Sequence, residues 1–349
     1  MIDAHCHFGQ GSRRERGQLR RYVSNPEPLM KQIIESEDRN FSRNFHGAVI
    51  NFSEPKNWKR EEELMKKAME DERIAVTIGC HPKSAIYWNE EHKNFFIRFI
   101  KQNKANIKAI GEIGLDKTQN PENKDIERCQ RKVLCEQLAI AESENLNIVL
   151  HIRDLEGKRK AEEEIFDILK HFEINGLHRH CFTGNKQDLA KYEQKFKKLL
   201  IGVPPKICAK RNREEKEYRE TIKSVNEEHY ALETDKPHFR RLYKRAIPNR
   251  EIEIPTSGYV NIVAEEYAKL RQTPITDIIM NSTRNITEFY SMRINLPTYA
   301  ENYYAKARIY RLEKAEEPRR KRIRTLTVED TTSAANQQIV RWIDNAEAQ

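Results

Sequence analysis

The feature that most constrains this chain is the repeated return, between residues 1 and 292, of a short apolar run followed by a long amphipathic stretch. The runs are Ile2–His7, Gly47–Phe52, Ile74–His81, Ile107–Leu115, Asn147–Arg153, Leu177–Phe182, Leu199–Val203 and Tyr230–Thr234. Each has strand length and little internal polarity, which suits strands covered by helices on their outer face. Helical stripes lie between them. Phe95, Phe96, Phe99 and Ile100 form one, Ile126, Cys129, Val133, Leu134 and Leu138 a second, and Ile165, Ile168, Leu169 and Phe172 a third. Thr256-Ser257 is placed to cap a helix through Leu270, and Thr273-Pro274 to start another with proline in its first turn.

Strands alternating with helices in this number predict an α/β chain folded as a TIM (β/α)8 barrel over residues 1–292. A doubly wound open sheet is the alternative, because alternation alone does not separate the two. The stretch Gly9–Phe45 is longer than an ordinary connection and reads as an insertion after strand 1, with a helix over Leu29–Glu37. Residues 293–349 read as a helical, basic, partly disordered C-terminal extension. It contains a tyrosine-rich segment Leu296–Ala315, the basic run Pro318–Arg324 and a short amphipathic helix over Thr332–Ala348. The cluster Arg319-Arg-Lys-Arg322 admits a nuclear-import or nucleic-acid role, or a plain solvated linker, and the extension is a candidate for docking a protein partner.

Charge adds a modest hint. The 63 basic and 54 acidic residues leave a formal charge of +9, which fits a polyanionic partner without demanding one. The six cysteines include no C-x-x-C pair and read as reduced thiols of an intracellular protein, nuclear or cytoplasmic. No run approaches a membrane span of roughly 20 apolar residues. A monomer without a membrane association is expected.

The chemistry-bearing residues cluster at strand ends. In Asp3-Ala-His5-Cys-His7, residues two apart share a face, so both imidazoles can reach one ion, and Asp3 is placed to support a histidine. Glu112 interrupts an apolar strand, where a carboxylate is costly unless paired or bound to metal. His151, His180 and Asp235 close the fifth, sixth and eighth runs. Singly, each has a bland reading as a core histidine, a cap or a loop starter. Together they occupy one end of parallel strands, the end at which barrel active sites are built. Four imidazoles and two carboxylates exceed the needs of one tetrahedral ion. Two divalent ions are expected, Zn2+, Mg2+ or Mn2+, with Glu112 as bridge and Asp235 as both ligand and proton acceptor.

The motifs Asp3-Ala-His-Cys-His7, Gly79-Cys-His-Pro82, Gly111-Glu-Ile-Gly-Leu-Asp116, His151-Ile-Arg-Asp154, His180-Cys-Phe-Thr-Gly184 and Glu233-Thr-Asp-Lys-Pro237 resemble, in order and rough spacing, those of the TatD nuclease family. The phrase Leu177-His-Arg-His-Cys-Phe-Thr-Gly and the long first insertion look most like its larger animal branch. The resemblance implies a TIM-barrel hydrolase of the amidohydrolase type that cleaves DNA, often as a 3′-to-5′ exonuclease, and in some members RNA. It implies metal binding by His5, His7, Glu112, His151, His180 and Asp235, and a phosphate contact by His81. Lys83, Lys117 and Lys236 depart from the usual family residues, and each is expected to add positive charge near the mouth.

Further basic residues fall where loops follow strands: Arg13, Arg14, Arg16, Arg20 and Arg21; Lys206, Lys210, Arg211 and Arg213; and Lys236, His238, Arg240, Arg241, Lys244 and Arg245. Of these, Lys236, Arg240 and Arg241, together with Arg153, are the expected substrate contacts, and Phe239 and Tyr243 are placed to stack on unpaired bases. The sequence therefore predicts a metal-dependent nuclease. A metal-dependent amidohydrolase acting on a small amide or ester, and a non-catalytic nucleic-acid- or partner-binding barrel, are the alternatives.

Overall fold

The structure is a computed structural model describing residues 1–8, 21–36, 45–119, 123–155, 158–209, 213–247, 252 and 255–294. The readings made above for 9–20, 37–44, 210–212, the Arg213 side chain and 295–349 lie outside the described residues. Met1–Arg293 forms one compact unit.

Eight parallel strands follow one another in sequence order around a single sheet: β1 (Ile2–Cys6), β2 (Gly47–Phe52), β3 (Ile74–Ile78), β4 (Ile107–Asp116), β5 (Asn147–Arg153), β6 (Leu177–Arg179), β7 (Leu199–Val203) and β8 (Tyr230–Leu232). The last strand meets the first. The Asp235 amide donates to the His5 carbonyl at 2.9 Å, the His7 amide donates to the Lys236 carbonyl at 2.9 Å, and Cys6 pairs with Lys236 in parallel. Backbone pairing between first and last strands is what distinguishes a barrel from an open sheet, so the doubly wound alternative is excluded.

The helices sit where the stripes require. Phe95, Phe96, Phe99 and Ile100 are the buried face of α3 (Glu90–Asn103), whose N-terminus is capped by the Asn89 side chain. With α1 (Leu29–Ser36) and α2 (Trp58–Met69), it belongs to the outer layer. Trp58 stacks on Phe95 and Phe96, with centroids 5.8 and 5.6 Å away. Burying a ring of this size stabilises by roughly 1.5–3 kcal/mol, and Phe96→Ala would cost roughly 3–5 kcal/mol with its cavity.

Helix α4 (Lys124–Ser143) places Gln130 and Gln137, seven residues apart, on its inner face. Gln137 accepts from the Cys80 amide at 2.6 Å and donates to its carbonyl at 3.3 Å. Gln130 does the same for Asp116, at 2.9 and 3.1 Å. One helix thus fixes the backbone at the ends of β3 and β4. The remaining helices are α5 (Lys160–Leu169), α6 (Lys186–Lys195), α7 (Arg213–Lys223), α8 (Arg240–Ala246), α9 (Val260–Arg271) and α10 (Ile275–Tyr290).

Two helix starts differ from expectation. Thr256 makes no capping hydrogen bond, and Ser257–Tyr259 forms a 3-10 turn before α9 begins at Val260. Pro274 takes the cap position rather than the first turn of α10.

Candidate metal centre

The barrel brings the six ligand-type residues to one end and buries them all. His5 lies in β1 and His7 just beyond it. Glu112 is not at the end of β4, which runs on to Asp116. It is the extra residue of a bulge, since Gly111 pairs with Val149 and Ile113 with Leu150, and a bulge re-aims a side chain. Beyond it, Gly114 has φ 152°, and a Cβ there would fall 1.8 Å from the His151 carbonyl oxygen, so only glycine allows β4 and β5 to approach this closely. His180 follows β6, and Asp235 follows β8 in a left-handed conformation with φ 50°.

Glu112 divides the site. Its Oε2 lies 3.6 Å from His5 Nε2 and 3.4 Å from His7 Nε2. Its Oε1 lies 2.6 Å from His151 Nδ1, 3.4 Å from His180 Nε2 and 3.8 Å from His81 Nε2. Asp235 closes the other side, with Oδ1 3.9 Å from His5 Nε2 and 3.5 Å from His7 Nε2, and Oδ2 3.9 Å from His180 Nε2. Among the described residues, groups with metal-ligand geometry include His5–His7–Asp235 and Glu112–His151–His180.

The donor chemistry fits divalent cations. His5 Nε2 and His7 Nε2 face each other at 3.1 Å. His7 Nδ1 lies 3.1 Å from the Asn51 carbonyl, so its proton belongs on Nδ1 and Nε2 presents a lone pair. His180 Nε2 is buried without a hydrogen bond, an arrangement that is costly unless a cation or water completes it. Mixed imidazole and carboxylate donors suit Zn2+ or Mn2+.

The charges are strongly conditioned. Burial, and then His180, pushes His5 down to about 3. Burial opposes charge on His180 as well, but Glu233, Glu112 and Asp235 outweigh it and raise the ring to about 9. Asp235 is held well below the usual carboxylate range, the cost of burial being outweighed by His180 and His7.

His81 is set differently. Its Nδ1 accepts from the Lys83 amide at 3.0 Å, which leaves the proton on Nε2, and burial pushes the ring down to about 3. It is a neutral N–H donor aimed into the cleft.

Several contributors were not singled out from sequence. Asp116 Oδ2 lies 3.2 Å from His151 Nε2 and 3.4 Å from Lys83 Nζ. Glu233 accepts from the Cys181 amide at 2.6 Å and lies 3.3 Å from His180 Nδ1, and burial is outweighed by His180 and His178 in holding it at about 2. Both occur inside motifs quoted above, which is the signal that could have raised them. Asp3, expected beside a histidine ring, instead accepts from the Thr234 amide at 2.8 Å and hydroxyl at 2.5 Å. The donors of the β8 end reach it first.

The centre forms the floor of a cleft of about 1110 Å³ lined in part by Arg60, Lys83, Arg153, Lys158, Arg159 and Lys206. Of the expected substrate contacts, His81 and Arg153 line it, whereas Lys236, Arg240 and Arg241 do not. Lys236 Nζ lies 3.8 Å over the Phe8 ring, and Arg240 Nε donates to the Ile252 carbonyl at 2.5 Å. Phe239 reaches the cleft. Tyr243 does not stack on anything from solvent, being fully buried against Tyr259. Lys117 adds no free charge to the mouth: it is buried and paired with Glu164 at 2.8 Å and Glu127 at 3.3 Å.

Comparison with known proteins identifies relatives of this chain. The human 3′-5′ RNA nuclease TATDN2 is 26% identical over 259 residues, covering 72% of this chain but 31% of that protein, so the chain spans a minor part of that relative's length. The uncharacterized metal-dependent hydrolase YabD of Bacillus subtilis is 31% identical over 235 residues, 66% of this chain and 82% of that protein. The 3′-5′ ssDNA/RNA exonuclease TatD of a Rahnella species is 32% identical over 164 residues, 46% of this chain and 57% of that protein. The crystal structure of YJJV, a TatD homolog from Escherichia coli, superposes with a TM-score of 0.61 at 21% identity, covering 84% of this chain and 98% of that one, and shares the fold. The family model described as TatD related DNase matches residues 2–291, and the chain belongs to that family.

Proposed function

We propose that this chain is a metal-dependent nuclease that hydrolyses single-stranded DNA or RNA from the 3′ end, using two divalent ions. The observation that carries the reading is the two-sided placement of Glu112 between separate histidine groups on the floor of a cleft that also presents Arg60, Arg153, Lys158 and Lys206. The curated relatives support it: one is named a 3′-5′ RNA nuclease and another a 3′-5′ ssDNA/RNA exonuclease.

His5, His7 and Asp235 would hold one ion and His151 and His180 the other, with Glu112 shared. Such ions polarise a phosphodiester and lower the pKa of water. The protein supplies the rest. Asp235, kept ionised by its histidine neighbours, accepts the proton of the attacking water. His81 offers its Nε2 proton to a phosphate oxygen, and Arg153, whose charge is favoured by Asp116, Asp235 and Glu112 against the effect of burial, balances phosphate charge. Arg60, Lys158 and Lys206 add positive charge along the cleft, while Arg159 is paired with Asp188. A small neutral amide would leave most of these groups unused.

The six cysteines are all free thiols, consistent with a reducing, intracellular setting. Among the described residues, no helix is long and apolar enough to cross a membrane. The test is cleavage of oligonucleotides labelled at either end, with Mg2+, Mn2+ or Zn2+. Wild type should shorten single strands from the 3′ end and Asp235→Asn should not. Equal, negligible turnover by both under all three ions sinks the proposal.

A further inference from the structure

Behind His180, on the side away from the cleft, a buried line of polar groups runs from the last helix of the barrel to the metal centre. His180 Nδ1 lies 3.3 Å from Glu233 Oε1. The other oxygen, Oε2, lies 3.4 Å from His178 Nε2. His178 Nδ1 in turn lies 2.7 Å from the hydroxyl of Tyr290, the final residue of α10. Tyr290, His178, Glu233 and His180 are each at most 1% exposed, so water does not satisfy them.

With an ion bound at His180, only one proton arrangement uses every group. Glu233 is ionised and can only accept. Each histidine must then turn an N–H toward it, from Nδ1 of His180 and Nε2 of His178. With its proton on Nε2, His178 presents a lone pair at Nδ1, and Tyr290 donates its hydroxyl proton there. With its proton on Nδ1, His180 presents a lone pair at Nε2, the atom that faces Glu112 and Asp235.

The packing provides for this line. Gly202 of β7 has no side chain to obstruct Glu233, and a Cβ there would lie 2.4 Å from Glu233 Oε2. The Cys181 amide donates to Glu233 Oε1 at 2.6 Å, which locks the carboxylate between the two histidines. His178 sits edge-on to Phe289 as well as Tyr290, with centroids 6.4 and 6.0 Å away.

We propose that Glu233, with His178 and Tyr290 behind it, is a positioning device that fixes the orientation and tautomer of His180 and thereby sets the affinity of the centre for its ion. The inference rests on reading His180 as a metal ligand. Carboxylates placed behind a ligating imidazole commonly contribute about 10–100-fold in metal affinity. Here the contribution reaches further, because the carboxylate is itself oriented by a helix outside the barrel wall. The loss of one hydroxyl at the end of α10 should therefore be felt at the ion.

The experiment compares wild type, Glu233→Gln and Tyr290→Phe, full length, by calorimetric titration of the chelator-stripped proteins with Mn2+ and Zn2+. Thermal melts of the stripped proteins serve as the folding control. Glu233→Gln should weaken binding about 10–100-fold, and Tyr290→Phe should weaken it less but in the same direction. Histidine 15N spectra of the Zn2+-loaded wild type should show His180 protonated on Nδ1 and His178 on Nε2, and Tyr290→Phe should shift the His178 Nδ1 signal, whose lone pair has lost its hydroxyl donor. A role confined to packing would not produce that spectral change. If Glu233→Gln fails to fold, Tyr290→Phe and the wild-type spectrum decide. Wild type that binds the ions while both variants bind equally tightly, or a His180 protonated on Nε2 in the loaded protein, overturns the proposal and leaves the metal centre standing. Wild type that binds no divalent ion overturns both.

Discussion

The Glu112 carboxylate meets the His151 imidazole at 2.6 Å through Oε1 and Nδ1, and this contact leaves Oε2 turned toward His5 and His7. A carboxylate so placed can serve two ions only while both oxygens can accept. Glu112→Gln keeps the shape but gives one histidine group an NH2. Metal analysis of the purified variant should find bound divalent ion reduced from two per chain to one or fewer, and oligonucleotide turnover should fall by at least about 100-fold. Two ions retained would refute the bridging role.

Ion binding should also carry a clear pH signature. At neutral pH His180, raised to about 9, holds a proton that an ion must displace, whereas His5, at about 3, holds none. A proton lost on binding makes apparent affinity rise with pH by about tenfold per unit. The rise should continue to about pH 9 and flatten above it, where the proton has already left. Mn2+ titrations in buffers of differing ionisation enthalpy should show about one proton released at pH 7. Affinity independent of pH between 6 and 8 would contradict the His180 assignment.

The barrel was legible because parallel strands buried on both faces appear as uninterrupted apolar runs, and β2, β5 and β7 match their runs residue for residue. The runs overshot wherever a functional residue leaves the ladder. Gly79–His81 remains apolar enough to read as strand, yet β3 ends at Ile78 and only the Gly79 and His81 amides still reach the Phe52 and Ser53 carbonyls. Cys181 and Asp235 adopt φ of 47° and 50° just after β6 and β8, a change that residue type does not announce.

The ligand-type residues that the barrel brings together were legible from shared position. The carboxylates behind them were not, because Glu233 needs the space left by Gly202, a neighbour only in three dimensions. Direction was the other gap: Lys117 and Tyr243 follow strands as expected, but their side chains point inward to Glu164 and Tyr259.

The closure of the barrel rests partly on Asp3, and this can be measured apart from metal. Its carboxylate accepts from both the amide and hydroxyl of Thr234, across the β1–β8 seam. Asp3→Ala would leave both Thr234 donors and the His5 amide without this acceptor, a loss of about 1.5–3 kcal/mol. Urea unfolding in excess chelator should show the decrease, and Thr234→Val in the same background should add little, since its hydroxyl partner is already gone. Full additivity of the two substitutions would show that Asp3 stabilises the seam by another route.

Charge in the cleft should separate residues that the sequence groups together. Arg153 lines the cleft, whereas Lys117 is committed to Glu164 and Glu127. Binding of a labelled single strand, measured by anisotropy in an Asp235→Asn background to stop cleavage, should weaken with Arg153→Gln. Its dependence on log salt should become shallower by about 1, the loss of one phosphate contact. Lys117→Gln should leave that slope unchanged. It should instead lower thermal stability, because Glu164 and Glu127 would lose their buried partner. A shallower slope for Lys117→Gln, or an unchanged one for Arg153→Gln, would mean that the strand runs outside the cleft described above.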